Sequence, residues 1–270
     1  MFRFPGHGLG DQLGPICAAD GEHGLALRSL ECALETVNRW DVVLGEQLPA
    51  WENWAERAAA RVLSREGAPL IRAGSWDEYL STRSKSVRQE IRSDGRKLER
   101  NHEVAYRRAE DATRLESALD ALFALHKRRF GGATPFAAAE PFHREFAACA
   151  LERGWLRLWL LEADGSPVAV RYGFRFGGTE CGYQAGWDPQ WRSAGVGFVL
   201  QVHVIRAAFE DGIREYSMLR GGEHYKYRLA TADPGLVTVA FSRGALGRVA
   251  VSSVVLSRPV IRRLRSLRGG

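Results

Sequence analysis

The sequence predicts an α/β fold of the α+β kind, built on a mixed sheet, and two observations lead to this prediction. In the C-terminal half, stretches rich in β-branched and aromatic residues are separated by glycine-containing turns, as in strands joined by hairpins. After them, apolar residues recur at helical spacing from Phe198 to Phe209, and another strand-like stretch follows. Hairpins combined with one helical crossover indicate a sheet with antiparallel and parallel neighbours.

The predicted elements of residues 75–245 form one coherent unit. A capping box, Ser75 with Glu78, starts a helix that runs to about Arg100. The elements that follow are a strand over residues 103–109, helices over 113–129 and 141–153, strands over 155–161, 168–176 and 181–187, a helix ending at 211–212, a strand over 214–219, a short helix within 221–229 and a last strand over 236–242.

The first segment predicts a shorter unit of the same kind. Strands are expected over residues 12–17, 41–46 and 69–73, with helices over 24–39 and 51–62 between them. This β-α-β-α-β order matches the second half of the later unit, so we expect a partial duplication. A late start codon or a half-domain docked on the complete one would explain the missing front half. The predicted divisions are therefore 1–74, 75–245 and 246–270.

The composition is that of a folded protein, because 26% of the residues are charged and eight are tryptophan. The net charge of +6 is local: residues 83–108 contain nine Lys or Arg against four acids, and residues 241–270 contain seven Arg and no acid. Two basic surfaces that meet an anion fit this pattern better than a generally nucleic-acid-binding protein.

The compartment follows from the N-terminus and the cysteines. The first residues lack the apolar region of a secretory signal, and no apolar run reaches the length of a membrane helix, so we expect a cytoplasmic protein. The cysteines are scattered, without ligand spacing, and are predicted to be buried thiols that form no metal site or disulfide. They are Cys17, Cys32, Cys149 and Cys181.

A short glycine-containing segment separates the third hairpin strand from the following helix. It consists of Arg192, Ser193, Ala194, Gly195, Val196 and Gly197. At such a place free N–H groups and the positive end of the helix dipole can accept a pyrophosphate, and glycine lets the anion approach the backbone. The motif is short enough to occur by chance, so a plain strand-to-helix turn stays the alternative.

Three stretches carry a resemblance to a known family. They are WDEYLSTRSKSVRQEIRSDGRKLE (76–99), GWLRLWLLEADGSPVAVRYGFRFGGTECGYQAGWDPQW (154–191) and LRGGEHYKYR (219–228). In these stretches and in the order of its elements the chain resembles the GNAT acyltransferase superfamily. More narrowly, it resembles the CelD/BcsL-type branch, which is associated with cellulose and exopolysaccharide synthesis and is distantly FemAB-like. The resemblance covers residues 75–245, and the first segment looks like the tail of an extra GNAT-like domain.

The resemblance implies acetyl-CoA or another acyl-CoA as donor, with its pyrophosphate held by backbone N–H groups of residues 192–197, and an amine or hydroxyl as acceptor. The chain departs from the family pattern at Ser217, Gly222 and Leu229, where an acidic residue, an Asp and a Trp are common. These departures put an acid or base role near that turn in doubt, but they do not affect the donor site.

Acyl transfer needs a group that takes a proton from the acceptor and a group that gives one to the thiolate. Glu223 is the leading candidate base, directly or through a water, although the helix dipole also explains a first-turn Glu. Tyr225 or Tyr227 is the candidate acid, with a structural tyrosine as the alternative. His224 is a second candidate base. The sequence shows no Ser-His-Asp order or activated Cys, so direct transfer is expected.

Further residues are assigned to substrate binding. Tyr183 and Asp188 flank the third predicted hairpin strand near the donor site and are expected to position substrate, and Arg220 and Lys226 lie beside the catalytic candidates. On the Trp76 helix, Lys85, Arg88, Arg92 and Arg96 recur along one face. Arg88 and Arg92 are assigned to guiding an anion, namely donor phosphates, an acidic polysaccharide or a tRNA backbone. A solvated face with interleaved acids is the alternative.

The predicted function is that of a GNAT-type N- or O-acyltransferase acting on a sugar, a polysaccharide precursor or a small metabolite. An aminoacyl-tRNA-dependent transferase and a non-catalytic module of polysaccharide synthesis are the alternatives, and nucleic acid is expected only for the first of these. The basic amphipathic tail, residues 246–270, is expected to lie on a membrane surface or to pack on its own domain. Contact with polysaccharide-synthesis machinery is a further expectation.

Overall fold

The computed structural model describes residues 1–14, 23–37 and 39–253. The strands of these residues are β1 Phe2–Arg3, β2 Val42–Pro49, β3 Arg61–Glu66, β4 Leu70–Arg72, β5 Val104–Arg108, β6 Leu156–Ala163, β7 Ser166–Phe176, β8 Thr179–Trp187, β9 Glu215–Ser217 and β10 Leu236–Ser242. The α-helices are α1 His23–Thr36, α2 Trp54–Arg57, α3 Trp76–Ser81, α4 Lys85–Asn101, α5 Ala112–Phe130, α6 Pro135–Ala138, α7 Glu140–Glu152, α8 Val196–Glu210 and α9 His224–Leu229. Ala50–Glu52 and Pro189–Ala194 form 3-10 turns, and residues 244–253 are also helical.

The chain divides into two compact units. The small unit contains residues 1–68 and 234–270, and the large unit contains residues 69–233. The large unit is therefore inserted between two parts of the small one. The predicted boundaries at 74 and 245 are corrected by this division, because β4 belongs to the large unit and β10 to the small one.

The small unit is built on a sheet with the strand order β1-β2-β10-β3. β10 pairs antiparallel with both β2 and β3, and β1 is parallel to β2. Its largest buried side chains, Leu48 and Trp54, are 1% exposed and pack with Val239 of β10. The predicted last strand of the later unit is thus the central partner of two strands in the other unit.

Two predictions for the small unit are wrong. Residues 12–14 form no strand, and the rest of that predicted strand lies outside the described residues. The helix predicted over 51–62 is a 3-10 turn, the short α2 and then β3, because Asn53 (φ 55°) and Ala59 (φ 44°) adopt the left-handed conformation that interrupts a helix. The partial GNAT-like duplication stays a prediction. The tail after residue 253 lies outside the described residues.

The large unit is built on a mixed sheet with the order β4-β9-β8-β7-β6-β5. Its neighbouring strands are antiparallel except β8 and β9, which are parallel and are joined by the crossover helix α8. The predicted mixed α/β class with one helical crossover is confirmed.

Alternation along the central strands builds a core on each face of this sheet. Leu158 and Val170 contribute to a cluster with α5 and α7, whereas Leu161 and Ala169 contribute to a cluster with α8. All four side chains are at most 1% exposed. Because both faces are covered, any polar side chain that points toward α8 from the middle of the sheet is buried.

The helix predicted from Ser75 to Arg100 is two helices. The Ser75 hydroxyl accepts from Glu78 N (3.1 Å) as expected, but the Glu78 carboxylate accepts from Gly74 N. A second cap, Ser84, accepts from Val87 N (3.3 Å) and starts α4. The break comes from this second serine cap, which was not predicted from the sequence.

Among the described residues, no helix is long and apolar enough to cross a membrane. No group of three or more His, Cys, Asp or Glu in the same residues could hold a metal ion. The described cysteines form no disulfide with one another; Cys32 is exposed, which corrects the expectation of burial, and Cys149 and Cys181 are half-buried. Cys17 lies outside the described residues.

Candidate active site

The large sheet opens between β8 and β9. Within the described chain these parallel strands pair only over residues 179–181 and 215–217. Beyond that point β8 continues to Trp187, whereas β9 ends and the chain leads to α9. The fork between them borders a cavity of about 310 Å³, which is also lined by the ends of α5, α8 and α9.

The N-terminus of α8 supplies two free donors to this cavity. The N–H groups of Phe198 and Val199 both donate to Gly195 O (2.9 and 3.0 Å). Among the described residues, the N–H groups of Val196 and Gly197 have no acceptor, and both residues line the cavity. The positive end of the helix dipole lies at the same place. We call residues 192–197 the cradle.

The two glycines of the cradle have structural reasons of their own. Gly195 is the N-cap of α8 and adopts a left-handed conformation (φ 65°, ψ 23°). A Cβ on Gly197 would lie 3.1 Å from Cδ1 of Trp187. The turn therefore favours glycine at position 195, and the indole favours it at position 197, independently of any ligand.

Two arginines of the cavity wall lie near the indole ring of Trp187. The guanidinium carbons of Arg129 and Arg192 are 5.5 and 5.9 Å from its ring centroid, within the range of cation–π attraction. Arg129 and Arg192 both line the cavity. Ser193 and Ala194 lie outside the lining that the described residues form, so the structure brings only part of the predicted segment to the cavity.

An acidic side chain lies beside the cradle. A Cβ on Gly195 would be 3.7 Å from Oδ2 of Asp94, which α4 presents. The other carboxylate oxygen of Asp94 accepts from the Ser93 hydroxyl at 3.2 Å. This carboxylate reduces the positive potential at the start of α8.

Of the three predicted catalytic residues, the structure places only Tyr225 in the wall formed by the described residues. Tyr227 is 45% exposed, and its hydroxyl donates to Asp233 at 2.6 Å, which raises the pKa of Tyr227. Glu223 is exposed, with its carboxylate 3.1 Å from Nζ of Lys226. Tyr225 is therefore the best placed of the three candidates, and the catalytic roles stay predictions.

The turn before α9 is held by Lys226. This side chain is 6% exposed and donates from Nζ to the carbonyl of Arg220 at 2.5 Å. Lys226 and Arg220 are thus hydrogen-bonded to each other, although neither of them lines the cavity. His224 is exposed at the start of α9.

Tyr183 and Asp188 occupy different surroundings. The Tyr183 ring packs with Phe136 and Tyr172 on the α5 side of the sheet, with centroids 6.1 and 6.0 Å away. Asp188 caps the 3-10 turn that leads to the cradle and pairs with Arg128 at 2.6 Å. Both therefore have a structural partner near the cavity.

The two arginines of α4 that were predicted to guide an anion also lie in different surroundings. Nη1 of Arg88 donates to the carbonyl of Arg83 at 2.7 Å, at the start of its own helix. Arg92 is exposed and lines a groove of about 330 Å³ between α4 and α8, together with Asp94 and Arg96. Arg92, but not Arg88, is thus placed beside the residues that adjoin the cradle.

Three polar residues of the cavity wall were not predicted from the sequence: Arg129, Arg171 and Gln201. Arg171 and Gln201 are 8% and 2% exposed. Each interrupts an apolar stretch, VAVRYGF in β7 and FVLQVHV in α8, and that interruption is a readable signal of a buried polar site. Arg129 stands among other cations at the end of α5, where the sequence offers no such contrast.

Solved structures share this fold. A conserved protein of unknown function from Bacteroides thetaiotaomicron aligns with a TM-score of 0.61 and 13% identity, over 82% of this chain and 76% of the other. FemX aligns with a TM-score of 0.60 and 10% identity, over 86% and 80% of the two chains. L-PGS from Bacillus licheniformis aligns with 0.58 and 12%, over 88% and 78%. At these identities the likeness establishes the fold alone.

The sequence itself has a family match. No curated protein matches the chain. The profile of the Acetyltransferase (GNAT) domain family matches residues 85–227, just over half of the sequence, and this range contains the fork, the cradle and Tyr225. The predicted GNAT fold is therefore confirmed, and the chain belongs to the GNAT acetyltransferase domain family.

Proposed function

We propose that the protein transfers an acyl group, acetyl in the simplest case, from acyl-CoA to an amine or hydroxyl. A sugar, a polysaccharide precursor or a small metabolite would be the acceptor, as in the CelD/BcsL-type branch that the sequence resembles. One observation carries the proposal: among the described residues, the N–H groups of Val196 and Gly197 have no acceptor at the start of α8, and both residues line the cavity at the fork.

The cradle has the chemistry of a pyrophosphate site. Two unpaired N–H donors and the positive end of a helix suit an anion, and the exposed guanidinium of Arg192 adds a full charge. Asp94 opposes this attraction from α4. The donor would thus bind with its phosphates at the exposed end of the cavity and its acyl group toward the fork.

The reaction requires attack of the acceptor on the thioester carbonyl, cleavage of the carbon–sulfur bond and a proton for the thiolate. The hydroxyl of Tyr225 is our candidate for that proton because its ring lines the cavity. Glu223, two residues before it, is our candidate for taking the acceptor's proton through a water. Its ion pair with Lys226 holds the carboxylate at the start of α9.

Isothermal titration with acetyl-CoA tests the cradle, using wild type beside Gly195→Asn and Gly195→Asp. Asn and Asp have nearly the same shape and both tolerate the left-handed conformation, so they differ mainly in charge. We expect the wild type to bind and the Asp variant to bind at least about tenfold more weakly than the Asn variant. A folded wild type that gives no saturable heat would overturn the proposal. Equal affinities of the two variants would move the phosphates away from α8.

An aminoacyl-tRNA-dependent transferase is the second candidate, and the exposed cations of α4 favour it. Arg92 and Arg96 line an open groove beside the cradle. If acetyl-CoA does not bind, filter binding of total tRNA at several salt concentrations decides the matter. Affinity that falls steeply with salt, and more shallowly in Arg92→Gln, would support this candidate.

A further inference from the structure

The fork holds a buried cation that pairs with no carboxylate of the described residues. A Cβ on Gly182, the first residue of β8 beyond its paired part, would lie 2.9 Å from a guanidinium nitrogen of Arg171 and 2.6 Å from the Tyr216 hydroxyl. Arg171 is 8% exposed and lines the cavity. Its guanidinium therefore lies where β8 and β9 separate.

Within the described residues no carboxylate pairs with Arg171, and its Nε has no hydrogen-bond acceptor. Glu180, two positions before Gly182 and so on the same face of β8, pairs instead with Arg157 (3.3 Å). Burial raises the pKa of Tyr216 to about 12, so its hydroxyl is neutral and cannot balance the charge. A buried guanidinium without an anion is costly, and folding alone gives no reason to keep it.

A second unsatisfied group points into the same cavity. Gln201 of α8 is 2% exposed, and both its Oε1 and Nε2 are buried without a partner in the described chain. Buried amides in folded proteins are normally hydrogen-bonded. A ligand that offers both a donor and an acceptor would satisfy it. We call Arg171, Gln201 and Tyr216 the fork site.

We propose that the fork site binds a carboxylate carried by one of the two substrates. Arg171 would take the carboxylate in a charge-assisted pair, and Gln201 would hydrogen-bond beside it. The carboxylate belongs either to the far end of the acyl group or to the acceptor. This inference rests on the proposed function, and it goes beyond it by naming a charged group that a plain acetyl donor lacks.

The cradle and the fork site take different anions. The cradle offers backbone donors at the exposed end, which suit phosphates, whereas the fork site offers a buried planar guanidinium, which suits a carboxylate. The arm that connects the phosphates of CoA to its thiol is uncharged, so it leaves Arg171 without an anion. A neutral acetyl group leaves it unpaired as well.

Two matched pairs of probes distinguish the sources of the carboxylate. For the donor, titration with succinyl-CoA is compared with butyryl-CoA, which has the same number of acyl carbons but no carboxylate. For the acceptor, 4-aminobutyrate is compared with its amide, with and without coenzyme A. We expect one carboxylate to bind about ten- to a hundredfold more tightly than its neutral match.

Three variants show where the preference arises. Arg171→Met and Gln201→Met should each reduce the preference, the first to nearly one. Arg107→Gln removes a positive charge from an exposed site (59%) and should leave it unchanged. Circular dichroism confirms that each variant is folded, and Gln201→Met retains the charge if Arg171→Met does not fold.

The outcomes separate this inference from the proposed function. A tenfold preference that disappears in Arg171→Met supports the fork site, whichever substrate carries the carboxylate. Equal binding within both pairs in the wild type would overturn it, even if acetyl-CoA binds at the cradle. If no CoA compound binds, the proposed function fails, and 4-aminobutyrate against its amide still tests the fork site by itself.

Discussion

The cradle and the fork site are two cationic ends of one cavity, and they are built differently. The cradle consists of backbone N–H groups and the exposed Arg192, with Asp94 beside it. The fork site consists of the buried side chains of Arg171, Gln201 and Tyr216; within the described chain no carboxylate pairs with Arg171, and the Gln201 amide has no hydrogen-bond partner. The cradle depends mostly on the backbone geometry of a helix N-terminus, whereas the fork site depends mostly on a buried charged side chain.

This difference shows where a ligand is needed to explain the sequence. At the cradle, the left-handed turn favours glycine at position 195 and the contact with Trp187 favours it at position 197, so both glycines have a reason that involves no anion. At the fork site, packing does not explain a buried guanidinium that pairs with no carboxylate in the part of the chain that the structure describes. The glycines of the cradle, which are conspicuous in the sequence, are thus weaker evidence for a ligand than the buried Arg171.

The largest expected effect concerns the wall between the two ends. A Cβ on Gly186 would lie 2.5 Å from the backbone nitrogen of His126 and 2.6 Å from the carbonyl carbon of Leu125, so α5 would have to move. We expect Gly186→Ala to lower the free energy of unfolding by about 3 kcal/mol. Urea denaturation measures this, with Gly222→Ala as control, because a Cβ there meets nothing within 4 Å. Equal stability of the two variants would show that the wall is adaptable.

The next effect sharpens the contrast at the fork site. Without ligand, Arg171→Met should raise the free energy of unfolding by about 1–2 kcal/mol, because an apolar side chain replaces an unpaired buried charge. Arg107→Gln should change it by less than about 0.5 kcal/mol. Urea denaturation again decides. A destabilised Arg171→Met protein would mean that the guanidinium is already satisfied by the fold, and the two ends would no longer differ.

The smallest effect is expected at the cradle. Asp94→Asn removes the carboxylate nearest Gly195, so acetyl-CoA should bind about two- to fivefold more tightly at low salt. The gain should shrink at high salt, because the site is open to solvent and is screened. Titration at two salt concentrations measures both. Unchanged affinity would place the donor phosphates out of reach of Asp94.

Local patterns predicted most of the large unit. The hairpin of β6 and β7, the crossover α8 and the short α9 all lie within a few residues of their predicted bounds. Each has a strong period or a clear turn signal in its own sequence. The break at Ser84 was missed because serine caps and serine within a helix differ only in backbone conformation.

Pairing between distant residues was not predictable in this way. The strand β3, RVLSRE, is mostly polar and becomes a strand because β10 pairs with it. The sheet to which β10 belongs depends on the same partners. In the site, the cradle could be found because its residues are consecutive, whereas Arg171, Gln201 and Gly182 come from three elements and meet only when α8 crosses the sheet.

The insertion of the large unit has a consequence for synthesis on the ribosome. β10 lies between β2 and β3 and pairs Phe241 with Val43 and Val237 with Arg65, partners separated by most of the chain. Residues 69–233 are complete before β10 emerges, so this unit can fold while the earlier strands still have no central neighbour. During that interval β2 and β3 present unpaired edges, which are the usual starting points of aggregation. A nascent chain stalled before residue 236 would therefore depend on a chaperone for its N-terminal segment but not for its cavity.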